Sequence, residues 1–462
     1  MGDSVRGILH SLPAPARALA ASVGALPLRW RRYGPGFARR VALLRERDRW
    51  TRAQWHAYQR AELEAVLRRA ATQVPHYRQR DGLLGRAEQL ERWPVLEKRA
   101  VRDRPLDFVA DDCAPHRLVP VHTSGTTGTP LLILRSAATE QTWYAMLEVR
   151  ARNPWGVRWS DRWAILGGRL VVAAERERPP FWTVNWALNQ LYLSSYHLTA
   201  RFAGAYLDAT ARFAPRYLYG YTSALCVLAQ FVLESGRTDL RPTVVITNAE
   251  PLYAHQRALI ARAFQCPVVE TYGMTEMGVM AVSCRAGYLH TWPDLGFVEL
   301  LDADDRPVAP GEIGHVVTTS LINREQLLIR YRTGDMAVAM PEEFQCPCGN
   351  GAPVLASVEG RSDDLLYTRD GRRIGRLDPM FKGDLPIREA QVIQEAWDRF
   401  VIRYVPAEGC GPAHAARMGQ ELKARVGECE VRLEAVTAIE RTAAGKFRAV
   451  VSRLSPDAVP SC

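Results

Sequence analysis

The sequence predicts an α/β protein with a substantially parallel sheet, followed by a small mobile α+β domain. Three observations carry that expectation. Apolar runs of strand length alternate with segments of helical period. A chain of 462 residues with 47% hydrophobic content exceeds one compact core, so at least two domains are needed. Beyond Arg361 the pattern restarts as short strands around a single helical segment.

In chain order, residues 7–41 mix Ala, Leu and Val with Arg29-Trp-Arg-Arg32 and Arg39-Arg40, and are broken by Pro13, Pro15, Pro27 and Pro35. No compact apolar signal segment is present, and the stretch reads as packing on its own domain rather than as an interfacial basic helix. Residues 53–73 and 197–213 place apolar side chains at helical spacing. Strand-type runs occupy 131–134, 243–247, 267–270, 297–301 and 314–319, the last after the turn Pro310-Gly311. Past the break at Ser362-Asp-Asp364 come a strand–turn–strand over 365–374 around Asp370-Gly371, strands at 390–394, 400–405 and 430–435, and a helix over 412–426. The division expected is a large N-terminal domain over 1–361 and a small C-terminal domain over 362–462. There are no internal repeats.

The net charge of +10 does not indicate a nucleic-acid partner. Only four of the 60 basic residues are lysines (Lys98, Lys382, Lys423, Lys446), and the arginines are scattered among acids rather than gathered on one stripe. No apolar stretch is long enough to cross a bilayer. Nine cysteines, an odd number spread through a large chain, argue for a reducing, cytoplasmic compartment and against a disulfide framework.

The run His122-Thr-Ser-Gly-Thr-Thr-Gly-Thr-Pro130 follows an apolar stretch, and its glycines and hydroxyls can wrap a polyphosphate with N–H and O–H donors. It lacks the lysine of GxxxxGK[ST], which separates it from P-loop kinases and NTPases. Turns of this composition are common by themselves; the motifs downstream decide. They are Asn248-Ala-Glu-Pro-Leu252, Glu270-Thr-Tyr-Gly-Met-Thr-Glu276, Tyr331-Arg-Thr-Gly-Asp335, Gly360-Arg-Ser-Asp-Asp364 and Ala444-Gly-Lys-Phe-Arg448. In that order the series resembles the adenylate-forming superfamily, in the branch of phenylacetate–CoA ligases, coenzyme F390 synthetases and CapK-like proteins.

The resemblance implies ATP and Mg²⁺ as cofactors and assigns roles. Ser124, Gly125, Thr126, Thr127 and Gly128 would hold the β- and γ-phosphates. Ala249 and Glu250 would line the adenine by backbone contacts, Tyr272 would lie against it, and Asp335 would accept from the ribose hydroxyls. Thr275 would meet the α-phosphate, Glu276 the Mg²⁺, and Arg361 the ribose or phosphate region. Lys446 would stabilise the α-phosphate during adenylation, and rotation about Asp363 and Asp364 would then withdraw it. A lysine suits such a mobile role, and in so arginine-rich a chain its choice is not arbitrary. Each residue taken alone would read as an ordinary turn, surface or core residue.

Cys346-Pro-Cys348 and Cys284 with His290 have the ligand types of a structural zinc site. Spacing alone cannot join two halves about 60 residues apart; the resemblance joins them, because some phenylacetate–CoA ligase relatives carry zinc in matching segments. Unlinked thiols and a capped loop are the alternative. Tyr219, Tyr221 and Met274 stand where relatives line the acyl site, which implies an aryl or other hydrophobic acid. The expected activity is ATP-dependent formation of an acyl-adenylate with pyrophosphate release, then transfer to a thiol, with CoA as acceptor. Transfer to an amine, alcohol or carrier protein, AMP transfer to a phenol, and a non-catalytic CapK-like role in polysaccharide biosynthesis stay open. A homodimer is kept as a candidate assembly.

Overall fold

The computed structural model describes residues 12–79, 89–123, 131–168, 171–173, 176–361, 366–367, 373–374, 385–442 and 447–454. Ser124, Gly125, Thr126, Thr127, Gly128, Asp363, Asp364 and Lys446 lie outside the described residues, and Arg361 is described in its backbone alone.

The N-terminal helix α1 (Ala14–Tyr33) keeps Pro27 inside it, where the sequence suggested a break. Pro13 and Pro15 fall at the helix start, where N–H groups lack intrahelical partners anyway. Pro27 frees the carbonyl of Val23, which lies on an exposed face where water can satisfy it. Arg31 and Arg32 on α1 pair with Glu140, and Arg17 donates to the carbonyls of Pro180 and Trp182, so the helix packs on its own domain. Leu19, Val23, Leu26 and Trp30 form an exposed stripe. Helix α2 (Phe37–Arg47) follows. Helix α3 (Arg52–Gln73) starts on a capping box in which Thr51 and Gln54 satisfy each other's backbone N–H. Short helices α4 (Pro75–Arg78) and α5 (Lys98–Asp103) come next.

Strands β1 (Val119–His122) and β2 (Leu132–Arg135) form a hairpin ladder whose connection holds the Ser/Thr/Gly loop. Helix α6 (Ala137–Leu147) follows, capped by Ser136. The first part of the large sheet contains β3 (Trp163–Gly167), β4 (Trp182–Asn185), β5 (Gln190–Ser194), β6 (Tyr217–Tyr221), β7 (Val244–Asn248) and β8 (Val268–Gly273). Helices α7 (Ala203–Phe213), α8 (Thr222–Ser235) and α9 (Ala254–Phe264) connect them. The second part contains β9 (Met280–Ser283), β10 (Leu289–Thr291), β11 (Gly296–Leu301), β12 (Ile313–Ser320), β13 (Tyr331–Ala339) and β14 (Val354–Arg361). The sheet order is β11-β12-β13-β14-β10-β9-β8-β7-β6-β3-β5-β4.

The expectation of a substantially parallel sheet holds for half of it. β8, β7, β6, β3 and β5 are parallel neighbours, with helical crossovers between β6, β7 and β8. From β8 through β9 to β11 every pairing is antiparallel. The links in this half carry no crossover helix long enough to return the chain in parallel, so hairpin pairing is the available solution. Residues 197–213 are helical only from Ala200; His197 precedes the helix and is buried, stacked on Phe181 and bonded to Ser194.

Downstream, β15 (Leu366–Tyr367) and β16 (Arg373–Ile374) pair antiparallel, as the strand–turn–strand text suggested. The sheet β19-β18-β17-β20 combines β17 (Ile387–Ala396), β18 (Arg399–Pro406), β19 (Glu430–Ala435) and β20 (Val450–Ser452). Helix α10 (Pro412–Val426) closes its own core of Val392, Phe400, Ile402, Met418 and Leu422. Among the described residues no helix is long and apolar enough to cross a membrane.

Candidate active site and metal centre

A cavity of about 470 Å³ opens at the carboxyl ends of β6, β7 and β8, the end where open α/β sheets place ligands. Its walls come from both halves of the large sheet and from residues 447–450. At the β7 end, Ala249 adopts φ +62° and turns the chain so that Asn248, Ala249 and Glu250 line the opening. At the β8 end, Tyr272, Met274, Thr275 and Glu276 do the same, with Met277 at φ +57° directly after. Two non-glycine residues in the left-handed region at one cavity mark a backbone held against local preference. Close packing holds the second turn: β11 starts at Gly296, where a Cβ would meet the Gly278 carbonyl at 1.9 Å.

Asp335 comes from β13, and its Oδ2 accepts a hydrogen bond from the Tyr272 hydroxyl at 2.9 Å. Residues from the two halves, 63 apart in sequence, are thus brought together. Burial and the adjacent Asp335 carboxylate push the Tyr272 phenol well above its ordinary pKa, so the tyrosine remains a donor. Gly334, at φ +85°, sits directly before Asp335 in the bulge where β13 shifts register against β12. Arg361 pairs with Asp335 in register on β14.

Glu276 is 7% exposed and accepts from the Tyr331 hydroxyl at 3.2 Å. Burial pushes its carboxyl above the usual carboxylate range, against the pull of Lys98 and Tyr331. Lys98 begins α5 and also lines the cavity. The segment before it is fixed to β13 by hydrogen bonds from Leu96 N to Arg330 O and from Arg332 N to Leu96 O. Sequence reasoning used lysine rarity to single out Lys446 and passed over Lys98, to which the same signal applied.

Beyond the backbone role expected of it, Glu250 has a side chain with partners of its own. Its carboxylate accepts from Ser223 N at 2.7 Å, at the start of α8, from Ser223 Oγ at 3.1 Å, and from Phe447 N at 2.7 Å. A carboxylate at a helix N-terminus is favourably placed, and here it also grips the residue following Lys446 in sequence. Burial raises its pKa. Tyr219, Trp143, Met277, Met280 and Arg135 also line the cavity. Tyr221 is not part of its wall and bonds to the Gly168 backbone.

About the β9–β10 turn, Cys284, His290, Cys346 and Cys348 form one group whose ligand atoms all lie within 4.8 Å of one another. Cys284 Sγ and Cys346 Sγ are 3.7 Å apart, and Cys348 Sγ is 3.3 Å from His290 Nε2. Tetrahedral thiolates at about 2.3 Å from a cation would be about 3.8 Å apart, so the set fits such an ion. His290 Nδ1 lies 3.1 Å from the Ala352 carbonyl, which fixes the ring with Nε2 toward the sulfurs. Tight turns at Gly287 and Gly349 shape the two halves. The juxtaposition that spacing could not establish is supplied by β10, which lies between β9 and β14.

The raised Glu276 pKa has a consequence for stability. A carboxyl whose folded pKa exceeds its unfolded value contributes fully below about pH 4.3, and that contribution is lost as pH rises through the folded value, by at most about 1.4 kcal/mol per pH unit. Glu276→Gln should therefore melt a few degrees above the wild type at pH 8, the gap closing toward pH 4. Thermal melts across that range check this; a variant no more stable at pH 8 contradicts it.

Known proteins carry the same features. Residues 54–321 match the AMP-binding enzyme family, and residues 366–453 match the CapK C-terminal domain. The chain is 24% identical to Protein CapK of Staphylococcus aureus over 347 residues, 73% of this chain and 75% of that protein. It is 25% identical to the phenylacetate-coenzyme A ligase of Pseudomonas putida over 332 residues, 68% of this chain and 72% of the ligase. The crystal structure of a 2-hydroxyisobutyryl-CoA ligase in the postadenylation state superimposes with a TM-score of 0.69 at 20% identity, covering 88% of this chain and 91% of that one, which establishes the shared fold. The chain belongs to the AMP-binding enzyme family, in the branch that holds CapK and the phenylacetate-CoA ligases.

Proposed function

We propose that this protein is an AMP-forming acid–thiol ligase that activates a carboxylic acid with an apolar or aryl body and passes the acyl group to a thiol, with CoA as the acceptor. The observation that carries the reading is the meeting of Tyr272, Asp335 and Glu276 in one cavity at the carboxyl ends of the parallel strands. Tyr272 and Asp335 form a matched pair for a nucleoside: an aromatic face for the base and an ionised acceptor for the ribose hydroxyls. Glu276 is a buried oxygen donor whose ionised form a hard cation would favour, so the residues present fit Mg²⁺, which when bound neutralises phosphate charge.

In the first half-reaction an oxygen of the substrate carboxylate bonds to the α-phosphorus of ATP as the bond to the bridging oxygen of the β-phosphate breaks and pyrophosphate leaves. The anions repel, so donors must be positioned beforehand. Thr275, at the cavity wall, is assigned to the α-phosphate, the loop at 124–128 to the β- and γ-phosphates, and Lys446 to the charge that develops at the α-phosphorus. The Glu250 carboxylate supports that last role by holding the backbone of Phe447 against the large domain. In the second half-reaction a thiol sulfur bonds to the acyl carbon, AMP leaves, and the thiol proton passes to solvent. We assign 1–361 and 362–462 as the units that move between the two steps, about Asp363 and Asp364. Trp143, Tyr219, Met274, Met277 and Met280 support an apolar or aryl acid.

Zinc is the cation we assign to Cys284, His290, Cys346 and Cys348, in a closed structural role that ties the β9–β10 hairpin to the segment between β13 and β14. The cytoplasmic location we assign rests on the odd number and dispersed spacing of the nine cysteines. A second reading, a CapK-like polysaccharide-biosynthesis protein without catalysis, is favoured by the match of residues 366–453 and requires nucleotide binding without turnover.

Lys446→Ala should lower carboxylate-dependent ATP–pyrophosphate exchange by about a hundredfold or more, while thioester formation from a supplied acyl-adenylate stays within a few-fold of the wild type. Equal loss of both half-reactions would refute the assignment. For the metal centre, Cys346→Ser/Cys348→Ser should bring zinc from about one ion per chain to near zero and lower the melting temperature; elemental analysis showing unchanged zinc removes the site.

A further inference from the structure

Arg135 ends β2, on the side of the cavity occupied by Met277 and Trp143, and it is 9% exposed. Its contacts are poor for a buried guanidinium. Nη1 lies 3.8 Å from the Met277 sulfur, and Nη2 lies 3.8 Å from a Glu140 oxygen, beyond hydrogen-bond length. Nε is buried and has no hydrogen-bond partner among the described residues. Glu140, the nearest carboxylate, is already engaged by Arg31 and by Arg32 at 3.2 Å, so three guanidinium groups share one carboxylate.

The other carboxylates of the cavity are engaged elsewhere. Glu250 is taken by Ser223 and Phe447, Glu270 by Arg257 at 3.1 Å, Glu276 by Tyr331, Asp335 by Tyr272, and Glu359 by the Ser357 hydroxyl. A buried charge without a close counter-ion is costly, and burial lowers the pKa of Arg135. Arg135 thus lines the cavity that Tyr272 and Asp335 also line, beside the Met277 sulfur, with Tyr219 and Met280 as further apolar wall.

We propose that the acid activated here carries a second anionic group at its far end, received by Arg135, and is therefore a dicarboxylic acid with an apolar or aryl spacer. This rests on the adenylation reading and adds the substrate class to it. One carboxylate lies at Thr275 for reaction, the spacer runs along Tyr219, Met277 and Met280, and the distal carboxylate replaces the water that Arg135 gave up on folding. A site built around a polar partner discriminates strongly against ligands that lack it.

The test is ATP–pyrophosphate exchange with succinate, glutarate, adipate and isophthalate against butyrate, valerate, hexanoate and benzoate, paired with calorimetric titration of the same acids into the ATP-loaded protein. The wild type should favour at least one diacid over its matched monoacid by at least about tenfold in kcat/KM. Arg135→Met should reduce that ratio tenfold or more, and Arg135→Lys, which keeps the charge, should retain part of it. Preference for monoacids in the wild type, or a ratio unmoved in Arg135→Met, overturns the proposal. If no acid supports exchange, diacid binding that Arg135→Met weakens sustains the anion subsite while the adenylation reading fails. Absence of diacid binding overturns the subsite as well.

Discussion

Carboxylates converge on a single cavity, and the rest of the site is arranged to hold them there. Glu250, Glu270, Glu276 and Asp335 would repel one another if left to water and chance. Each is instead matched to its own donor: the first turn of α8 and the backbone of Phe447, the Arg257 guanidinium, the Tyr331 hydroxyl and the Tyr272 hydroxyl. Those donors satisfy the carboxylates only in part. Burial leaves Glu250 and Glu276 with raised pKa values, so the site favours cationic company more than a surface acid would. A nucleotide arriving with a divalent ion meets both requirements at once.

The two halves of the large sheet make that convergence possible. The parallel half sends β7 and β8 toward one edge, where Ala249 and Met277 turn the chain through left-handed backbone. The antiparallel half returns β13 and β14 to the same edge with Asp335, Glu359 and Gly360. The halves meet where β8 pairs with β9, and the short strand β10 joins β9 to β14; it is there that Cys284, His290, Cys346 and Cys348 gather. A cation at that point would tie the hairpin after Glu276 to the loop after Asp335. Its effect on the cavity is indirect, through the relative position of two strands.

Much of this was legible in the sequence, and the rest was hidden for physical reasons. Strand β7, with its continuous apolar run, and the amphipathic helix α10 came through because burial alone dictates their pattern. The Tyr272–Glu276 and Asp335 segments were legible as motifs because a turn of fixed conformation needs particular residues. The antiparallel half of the sheet was not, since strand direction depends on the length of connections rather than on composition. Arg135 gave no signal: an arginine after an apolar strand usually reaches solvent, and only the packing of α6 and the crowding around Glu140 bury it. The partners of the Glu250 side chain gave no signal for a related reason, because Ser223 and Phe447 are 27 and 197 residues away.

The central claim is that this cavity joins an acid to AMP. Mass spectrometry of the nucleotide products, with ATP, Mg²⁺ and a mixture of acids but no acceptor, tests it most directly. The account predicts AMP esterified to one of the acids, with pyrophosphate released in equal amount. ADP with phosphate, or ATP bound and unchanged whichever acid is present, would contradict it.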